Sequence, residues 1–239
     1  MAKFLILGDI HCRWQNLDTL LEEILYNDNS FDAIINVGDF GYGWPGIAEN
    51  WVNKTGLIFY WAEGNHDNAD MLKEHHNSNG GTLPANIVHM PRGSLLNIKG
   101  VNLAFFGGAS SPDKDQRLIG QSWWPEETIR SSELDSFLAR DIGNVDILIT
   151  HEKAENYEFP PDGPRIIHGG CGASDRIAIQ QIVEKTAPTS HFWGHWHYPM
   201  KGYYKPTSTE WHCINTIDNG DFVIWENGHI YHRQLGRNG

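Results

Sequence analysis

Five short segments of the chain carry side chains that commonly bind metal ions, and each follows a run of residues typical of a buried strand. The segments are Gly8-Asp9-Ile10-His11, Gly38-Asp39, Gly64-Asn65-His66-Asp67, Thr150-His151 and Gly194-His195-Trp196-His197. Together they offer two Asp carboxylates, one Asn carbonyl oxygen and up to five imidazoles, without an obligatory thiolate. Mixed nitrogen and oxygen donors suit Mn, Fe, Zn or Ni and argue against iron–sulfur or Cu(I) chemistry.

This set of donors is too large for one ion. A tetrahedral ion takes four ligands, whereas two ions that share a carboxylate, about 3.5 to 4 Å apart, would use the whole set. Two divalent cations also lower the pKa of a shared water and neutralise the oxygens of a phosphoryl group. The segments therefore indicate a dinuclear site suited to the hydrolysis of a phosphate ester.

The order of the segments resembles the signature of the calcineurin-like metallophosphoesterases. That signature runs Asp-x-His, Gly-Asp, Gly-Asn-His-Asp/Glu, a single His and Gly-His-x-His, and all five blocks occur here between Asp9 and His197. Any one block is a weak signal, but five blocks in this order are a strong one. The resemblance implies a metal-dependent phosphoesterase with a sandwich of two sheets between helices.

The resemblance also implies a role for each matching residue. One metal would be bound by Asp9, His11 and His197, and the other by Asn65, His151 and His195, with Asp39 bridging the two. His66 would be catalytic and would give a proton to the leaving oxygen. Asp67 would orient the His66 imidazole through a hydrogen bond. Mn is the expected metal, with Fe, Zn or Ni as alternatives.

Single residues of these types also have simpler possible roles. Asp9 and Asp39 could be helix caps or turn residues, but the repeated placement of such groups after apolar runs disfavours that role. Histidines outside the five blocks are expected to be surface or hydrogen-bonded structural residues: His75, His76, His89, His191, His212, His229 and His232. His168 differs because it lies in a Gly-rich segment that could cover the crevice, so it is a candidate substrate contact.

Predicted strands and helices place the five segments. The runs before them are Phe4–Leu7, Ala33–Val37, Leu57–Trp61, Val145–Ile149 and His191–Trp193. If these strands lie side by side in one sheet, their carboxyl ends converge on one crevice. Helices are predicted after the first block, from Leu17 to Leu25, over Pro125–Arg140, and from Ser174 or Asp175 to about Lys185.

Further strands are predicted over Ile87–His89, Leu95–Ile98, Val101–Phe106, Trp211–Asn215, Phe222–Trp225 and Ile230–Arg233. This surplus suggests an α/β fold built as a four-layer α-β-β-α sandwich of two mixed sheets flanked by helices. The absence of a linker or repeat predicts a single domain over residues 1–239.

Composition restricts the partners of the protein. The chain has 30 acidic and 18 basic residues and a formal charge of −12, which opposes binding to long nucleic acids. No apolar run is long enough to span a bilayer, and Met1-Ala2-Lys3 leads directly into the first strand, so a cytoplasmic protein is expected. The three cysteines are odd in number and far apart, which does not indicate a disulfide framework.

The substrate is expected to be a small phosphodiester. In the protein Ser/Thr phosphatase branch the second block continues Asp-x-x-Asp-Arg-Gly, whereas Asp39 is followed here by Phe40-Gly41-Tyr42-Gly43-Trp44. The arginine that would grip a phosphate dianion is missing there, and a diester carries only one negative charge. Other arginines could still reach the site, and Arg13, Arg92 and Arg117 are the candidates.

Aromatic residues and a long loop favour a cyclic nucleotide. Trp44, Trp123, Trp124 and Trp196 fall on predicted loops or turns, where an indole face could stack on a base. The strand-poor segment 107–124 is long enough to be a lid or binding loop. Three alternatives remain: a phosphomonoesterase of broad specificity, a catalytically weak metal-binding scaffold, and a nuclease, which the acidic surface disfavours.

Overall fold

The computed structural model describes residues 1–45, 51–79, 82–83, 86–159 and 171–235. Four α-helices are formed within these ranges: α1 (Trp14–Asn27), α2 (Ala69–Asn79), α3 (Ser131–Leu138) and α4 (Ala173–Thr186). The described strands are β1 (Lys3–Leu7), β2 (Ala33–Asn36), β3 (Phe59–Trp61), β4 (Thr82–Leu83), β5 (Ile87–His89), β6 (Ser94–Ile98), β7 (Val101–Phe106), β8 (Ile147–Thr150), β9 (Ser190–Trp193), β10 (Met200–Tyr204), β11 (Thr209–Cys213), β12 (Asp221–Glu226) and β13 (His229–Gln234).

The strands form two mixed sheets. The first has the order β13-β12-β1-β2-β3-β5-β4, and the second has the order β10-β11-β9-β8-β7-β6. In the first sheet β1, β2, β3 and β5 run parallel, while β12 pairs antiparallel with β1. In the second, β7, β8, β9 and β11 run parallel, and β6 and β10 are antiparallel edge strands.

Alternating side chains divide the core into three apolar layers. Along β1, Phe4 and Ile6 point into the layer between the sheets, whereas Leu5 and Leu7 pack on the opposite face, where α1 lies. On the second sheet, Leu148 packs on the outer side with residues of α3 and α4. The layers are therefore helix, sheet, sheet and helix, which confirms the predicted four-layer α-β-β-α sandwich.

From the sequence, the strands that precede the five segments could lie side by side in one sheet. The structure instead divides them between the two sheets. β1, β2 and β3 belong to the first sheet, and β8 and β9 belong to the second. Their carboxyl ends still meet because the sheets are stacked. A hydrogen bond of 3.0 Å between the His151 ring and the Val37 carbonyl oxygen joins the two sets of strand ends.

The helix predicted over Pro125–Arg140 is broken. A 3₁₀ turn covers Pro125–Glu127, Thr128 is extended with ψ 151°, and α3 begins at Ser131. The start of α3 is stabilised by one side-chain hydrogen bond, because the Glu133 carboxylate accepts a bond of 2.9 Å from the Arg130 backbone N–H. The backbone N–H of Ile129 also donates to Asp175 of α4, at 2.8 Å.

Helix α2 and strands β4 and β10 were not anticipated from the sequence. Helix α2 has a mostly polar sequence, and Leu72 is its one buried apolar residue among those whose burial is described. Strand β10 contains Gly202, which would ordinarily weaken a strand. A Cβ at Gly202 would lie 2.3 Å from the Trp211 ring, so glycine makes room for the neighbouring indole. No helix within the described ranges has the length and apolar character needed to cross a membrane.

Candidate metal centre

The metal-binding side chains lie immediately beyond the carboxyl ends of five parallel strands. Asp9 follows β1, Asp39 follows β2 and Asn65 follows β3 in the first sheet. In the second sheet, His151 follows β8 directly, and the segment with His195 and His197 follows β9. Open α/β sheets bind their ligands at this end of the strands, and stacking brings both sets of strand ends together.

One group of donors is formed by Asp9, His11, Asp39 and His197. Their candidate ligand atoms all lie within 4.8 Å of one another. His197 Nε2 is 2.9 Å from Asp9 Oδ2 and 3.0 Å from His11 Nε2. Ligands that each bind an ion at about 2.0 to 2.2 Å lie about 3 to 3.5 Å from one another. These side chains therefore fit around a single cation.

A second group lies on the other side of Asp39. His151 Nε2 is 3.2 Å from Asp39 Oδ1 and 3.2 Å from Asn65 Oδ1. The other ring nitrogen, Nδ1, donates to the Val37 carbonyl oxygen, so Nε2 is the nitrogen that would bind a metal after losing its proton. The His195 ring packs edge-on against His151, with centroids 5.1 Å apart.

Asp39 stands between the two groups. Its Oδ1 atom faces His151, and its Oδ2 atom is 3.6 Å from His11 Nε2. Because each oxygen faces a different donor group, the carboxylate has the placement of a bridging ligand. The donors thus fit the divalent metal site that the family pattern implies, and Asp39 would contribute to both donor groups.

Four of the candidate ligands have strained backbone conformations. His11, Asp39, His195 and His197 have positive φ angles of 49°, 51°, 65° and 48°, a region that side-chain-bearing residues rarely adopt. Local hydrogen bonds hold the strained turns: the Asp39 carbonyl accepts from His11 N–H at 2.8 Å, and the Asp9 carboxylate accepts from His195 N–H. Strain of this kind is typical of functional sites, where it holds side chains in one direction.

Glycines before the ligands make room for them. A Cβ at Gly38 would lie 2.3 Å from His151 Nδ1, one at Gly64 would lie 2.2 Å from Asp39 Oδ1, and one at Gly194 would lie 2.1 Å from Asp9 Oδ1. Each of these glycines is therefore required by a ligand from a different strand. This explains why Gly precedes the ligand in three of the sequence blocks.

Charge in the site favours a cation. Burial opposes ionisation of Asp39, but the neighbouring His151, His66 and His11 hold the pKa of its carboxyl well below the usual range. Burial likewise lowers the pKa of His197, but the hydrogen bond and charge of Asp9 outweigh burial and raise it. The centre thus keeps Asp39 ionised although the side chain is 1% exposed.

His66 points into the space in front of the metal ligands. Its Nε2 atom accepts a bond of 2.8 Å from the Arg117 guanidinium, and its ring is 4.6 Å from that of His11. Burial, which outweighs the opposing charge of Asp39, lowers the pKa of His66 to about 4. The ring is therefore neutral in this arrangement, and its backbone N–H donates to Asp39 Oδ1 at 2.8 Å.

Asp67 is placed differently from the expectation. Its Oδ1 accepts from the backbone N–H groups of Gly41 and Tyr42, at 2.7 and 2.9 Å, and its Oδ2 accepts from Gly64 N–H at 2.8 Å. The expected hydrogen bond to the His66 ring is not among the contacts of the described residues. Both carboxylate oxygens are occupied by backbone donors, so Asp67 ties the turn that carries His66 to the turn after Asp39.

A cleft of about 380 Å³ opens in front of the centre, and the segment predicted to be a binding loop forms one wall. Its lining residues are Asp39, Asn65, His66, Pro112, Asp113, Arg117, His195, Trp196, His197 and Tyr198. Of the predicted substrate contacts, Arg117 and Trp196 line the cleft. Trp44 lies at its side, with its ring 4.5 Å from His66 and 5.3 Å from the Arg117 guanidinium.

The other candidate cations are not in the cleft. The Arg13 side chain is 59% exposed and is 3.6 Å from Asp218, so its prediction as a substrate contact is not supported by its position. The Arg92 side chain is buried. Its guanidinium donates to the backbone carbonyl oxygens of Gly107, Glu126, Glu127 and Thr128. His168 lies outside the described residues.

Two residues near the centre were missed by the sequence interpretation. Asn65 Nδ2 donates to Ser111 Oγ at 3.3 Å, and the Ser111 hydroxyl donates to Glu127 Oε2 at 2.7 Å. Neither residue belongs to the five blocks. The available signal was the length of segment 107–124, which contains Ser111 and was predicted to be functional without naming it.

Comparisons with known proteins bear on the family. A comparison with curated proteins finds no significant match. Among solved structures, protein TT1561 of Thermus thermophilus has a TM-score of 0.59 at 9% identity, covering 98% of both chains. A dimetal phosphatase from Danio rerio has a TM-score of 0.55 at 11% identity, covering 93% of this chain and 91% of that one. GAP50, described as the anchor in the inner membrane complex of Plasmodium, has a TM-score of 0.54 at 12% identity, covering 98% and 88%.

These structural likenesses show a shared fold and leave the activity open. The family is shown by the sequence itself, since the profile described as "Calcineurin-like phosphoesterase" matches residues 2–199. The matched region contains all five blocks and every candidate ligand from Asp9 to His197. The chain therefore belongs to the calcineurin-like phosphoesterase family, and its metal site is that of a hydrolase.

Proposed function

We propose that this protein is a metal-dependent phosphodiesterase that hydrolyses small diesters such as 2′,3′- or 3′,5′-cyclic nucleotides. The observation that carries the proposal is the meeting of two donor groups on either side of Asp39, beside a cleft where Arg117 is the arginine on the wall among the residues that the structure describes. When bound there, two divalent ions, Mn by preference, supply Lewis acidity and an acidified water. Fe, Zn and Ni suit the same donors.

The protein's own groups bind and orient the ester. Arg117 is 6% exposed, and Asp113 and the Asn65 carbonyl hold its guanidinium at 2.8 and 3.0 Å. Trp44 packs beside this guanidinium, which keeps it directed at the cleft. Arg117, the arginine on the described part of the wall, matches one phosphoryl oxygen of a monoanionic diester better than the charge of a monoester dianion.

His66 has the position of a proton donor to the leaving oxygen. Its Nε2 atom faces the cleft, and the bond from Arg117 occupies it in this arrangement. An ester bound between the two residues would take both contacts, with a phosphoryl oxygen on Arg117 and the leaving oxygen on His66. The His66 ring is neutral while Nε2 accepts from Arg117, so once that bond is released Nε2 must take up a proton from water before it can give one to the leaving oxygen. Asp67 supports this indirectly, because its three backbone bonds hold the turn on which His66 stands.

The size and charge of the site favour a small substrate. A cleft of about 380 Å³ is at the small end of ligand sites, which range from about 300 to 1,000 Å³. A long polyanion would meet the field of a protein with a formal charge of −12. Tyr198, 41% exposed at the cleft, offers a ring for a nucleobase. Trp124, in contrast, is buried and donates to Asp70, so it is unsuited to stacking.

A panel of esters tests the proposal. Metal-free protein is reloaded with Mn, Fe, Zn or Ni and assayed on 2′,3′- and 3′,5′-cyclic nucleotides, bis-p-nitrophenyl phosphate and p-nitrophenyl phosphate, with an unloaded sample as the control. We expect diesters to be hydrolysed with the higher kcat/KM and the unloaded protein to be inactive. Faster turnover of the monoester would establish the phosphomonoesterase alternative instead.

The variant His66→Asn tests the proton-donor role. It should retain the metal content of the wild type and slow a cyclic nucleotide, whose leaving group is a poor one, by about 10²-fold or more. p-Nitrophenolate leaves without a proton, so bis-p-nitrophenyl phosphate should be affected much less. His229→Asn, at an exposed position of β13, is the matched control. Loss of metal from His66→Asn would make His66 a ligand.

A metal-binding scaffold is the second candidate function. GAP50, which has the same fold, is described as an anchor, so the fold is compatible with a role other than hydrolysis. Metal binding without turnover of any ester in the panel would favour the scaffold. The single-domain organisation over residues 1–239 and the cytoplasmic location stay predictions.

A further inference from the structure

Asn65 presents an orientation problem that the proposed Asp ligands do not share. Its side-chain amide has an oxygen that can bind a cation and an NH₂ group that cannot, and a half-turn exchanges the two. In the structure Oδ1 faces His151 Nε2 at 3.2 Å, and Nδ2 faces Ser111 Oγ at 3.3 Å. Something must hold the amide in the productive orientation, because the wrong one would direct N–H groups at the metal.

The Ser111 hydroxyl can distinguish the two orientations only if the direction of its own proton is set. Ser111 has one hydroxyl proton, and its Oγ is 2.7 Å from Glu127 Oε2. The Ser111 backbone N–H donates to the other oxygen, Oε1, at 2.6 Å. Burial raises the pKa of Glu127, whereas the two hydrogen bonds from Ser111 favour its ionised form. A carboxylate can only accept, so the Ser111 proton points at the ionised Glu127. Ser111 Oγ is then left as an acceptor, and Asn65 must offer it the NH₂ group.

All three residues are shielded from water. Asn65 is 2% exposed, Ser111 is 2% exposed and Glu127 is 5% exposed. A buried donor facing a donor costs about 1 to 3 kcal/mol, so a wrongly oriented amide would be strongly disfavoured. Glu127 is itself held in place, since its backbone carbonyl accepts a bond of 3.0 Å from Arg92.

We propose that Glu127 is a positioning residue that sets the orientation of the Asn65 amide through the Ser111 hydroxyl, so that Oδ1 faces the metal. Glu127 acts from the 3₁₀ turn Pro125–Glu127 and does not line the cleft. The inference rests on the proposed metal centre and adds to it the residue pair that makes a neutral amide a reliable ligand.

Glu127→Gln tests the inference because it keeps the size and reverses the polarity. Oε1 of the glutamine still accepts from the Ser111 backbone, so its NH₂ group faces Ser111 Oγ. The Ser111 proton then turns to Asn65, which must accept with Oδ1 and direct its NH₂ group at the metal. We expect the Asn65-side metal to be bound about 10 to 100 times more weakly, with the Asp9-side metal unchanged.

Mn titration followed by electron paramagnetic resonance and calorimetry measures this effect. The wild type should bind two Mn ions with an exchange-coupled signal, whereas Glu127→Gln should show one tight ion with an isolated six-line signal. Glu126→Gln is the matched control, since Glu126 is the adjacent residue and its side chain forms an exposed pair with Arg130. This control should retain two ions. Equal binding of two ions by Glu127→Gln would overturn the inference.

The double variant Asn65→Asp/Glu127→Gln separates orientation from a structural role. Aspartate has two equivalent oxygens, so one accepts the Ser111 proton while the other faces the metal. The double variant should therefore bind the second ion again. In Asn65→Asp alone, two carboxylates would face the Ser111 hydroxyl, which has one proton to give, so this single variant should bind the second ion weakly. If the second ion stays lost in the double variant, Glu127 acts only through the structure of the loop.

Failure of the dinuclear centre and failure of the positioning role would give different results. A wild-type protein that binds fewer than two ions would remove the dinuclear centre and with it the proposed function. Two ions in the wild type, together with unchanged binding in Glu127→Gln, would reject the positioning role alone. If Glu127→Gln does not fold, Ser111→Ala tests the same orientation, and its second ion should be bound more weakly than in the wild type. Unchanged binding there would also reject the inference.

Discussion

Gly38 and Asp39 follow β2 and have separate roles in the candidate metal centre. Asp39 adopts a left-handed φ of 51°, which turns its carboxylate toward both donor groups. Gly38, with φ of 120°, leaves space for the His151 ring from the second sheet. The ring in turn donates to the Val37 carbonyl. At the residue scale, the site thus depends on backbone conformation as much as on ligand type.

Gly38→Ala should damage the centre without removing a ligand. The new Cβ would lie 2.3 Å from His151 Nδ1 in a backbone region that alanine avoids, so His151 must move. We expect loss of about 2 to 5 kcal/mol in the free energy of unfolding, from strain and overpacking together, and at least tenfold weaker Mn binding. Urea denaturation and Mn titration measure the two effects.

The matched control for this change is Gly228→Ala. Gly228 also has a positive φ, of 85°, but a Cβ there would have no atom within 4 Å. It should therefore show only the cost of the backbone strain and retain its Mn affinity. Equal Mn affinity in Gly38→Ala and the wild type would show that the His151 ring does not need this space.

At the scale of elements, Arg92 lies in the connection between β5 of the first sheet and β6 of the second, and its side chain enters the interior. The Arg92 side chain is 6% exposed and pairs with Glu63, which follows β3, at 2.9 Å. The same guanidinium donates to the carbonyl oxygens of Gly107 after β7 and of Thr128, at 3.0 and 2.8 Å. Arg92 therefore joins the end of the first sheet to the loops of the second sheet that carry Ser111 and Glu127.

Arg92→Lys should destabilise the fold because an ammonium group cannot reproduce the planar set of donors. The buried Glu63 carboxylate and several carbonyl oxygens would lose partners, and we expect a cost of about 2 to 4 kcal/mol in urea unfolding. The control is Arg130→Lys, whose exposed pair with Glu126 should be worth less than about 1 kcal/mol. Similar midpoints for both variants would contradict the bridging role of Arg92.

The whole molecule is two stacked sheets that each contribute ligands to one centre. Asp9, Asp39 and Asn65 come from the first sheet, and His151 and His195 come from the second. Bound cations would join the two sheets at their carboxyl ends. They would also neutralise part of the formal charge of −12. Without them, the acidic groups of the protein repel one another and repel anionic substrates.

Chelation should consequently lower the thermal stability of the whole molecule. A ligand at 100 times its Kd stabilises the folded state by about 2.7 kcal/mol, which corresponds to about 5 to 10 °C in Tm for a chain of this size. Thermal unfolding in Mn and in EDTA measures the difference. Asp39→Ala is the control and should show little dependence on Mn, whereas an equal Tm for the wild type in Mn and in EDTA would argue against a metal that joins the sheets.

Local patterns determined the class of the protein before its structure. Buried parallel strands are continuous apolar runs, so β1, β2, β7 and β9 could be recognised within a residue or two. The ligands follow these runs directly, so their types and order identified the family. Polar or interrupted elements were missed for the same reason: α2 lacks an apolar face, and Gly202 hides β10.

Only the tertiary structure decided which side chains meet. Arg13 and Arg117 are equivalent as sequence candidates, yet one pairs with Asp218 at the surface and the other lies against His66. Asp67 adjoins His66 in the chain but is occupied by backbone donors from another turn. Ser111 and Glu127 are joined to Asn65 across long separations in sequence. Residue type and spacing are local properties, whereas hydrogen-bond partners depend on how the two sheets and their loops pack, and no local pattern records that.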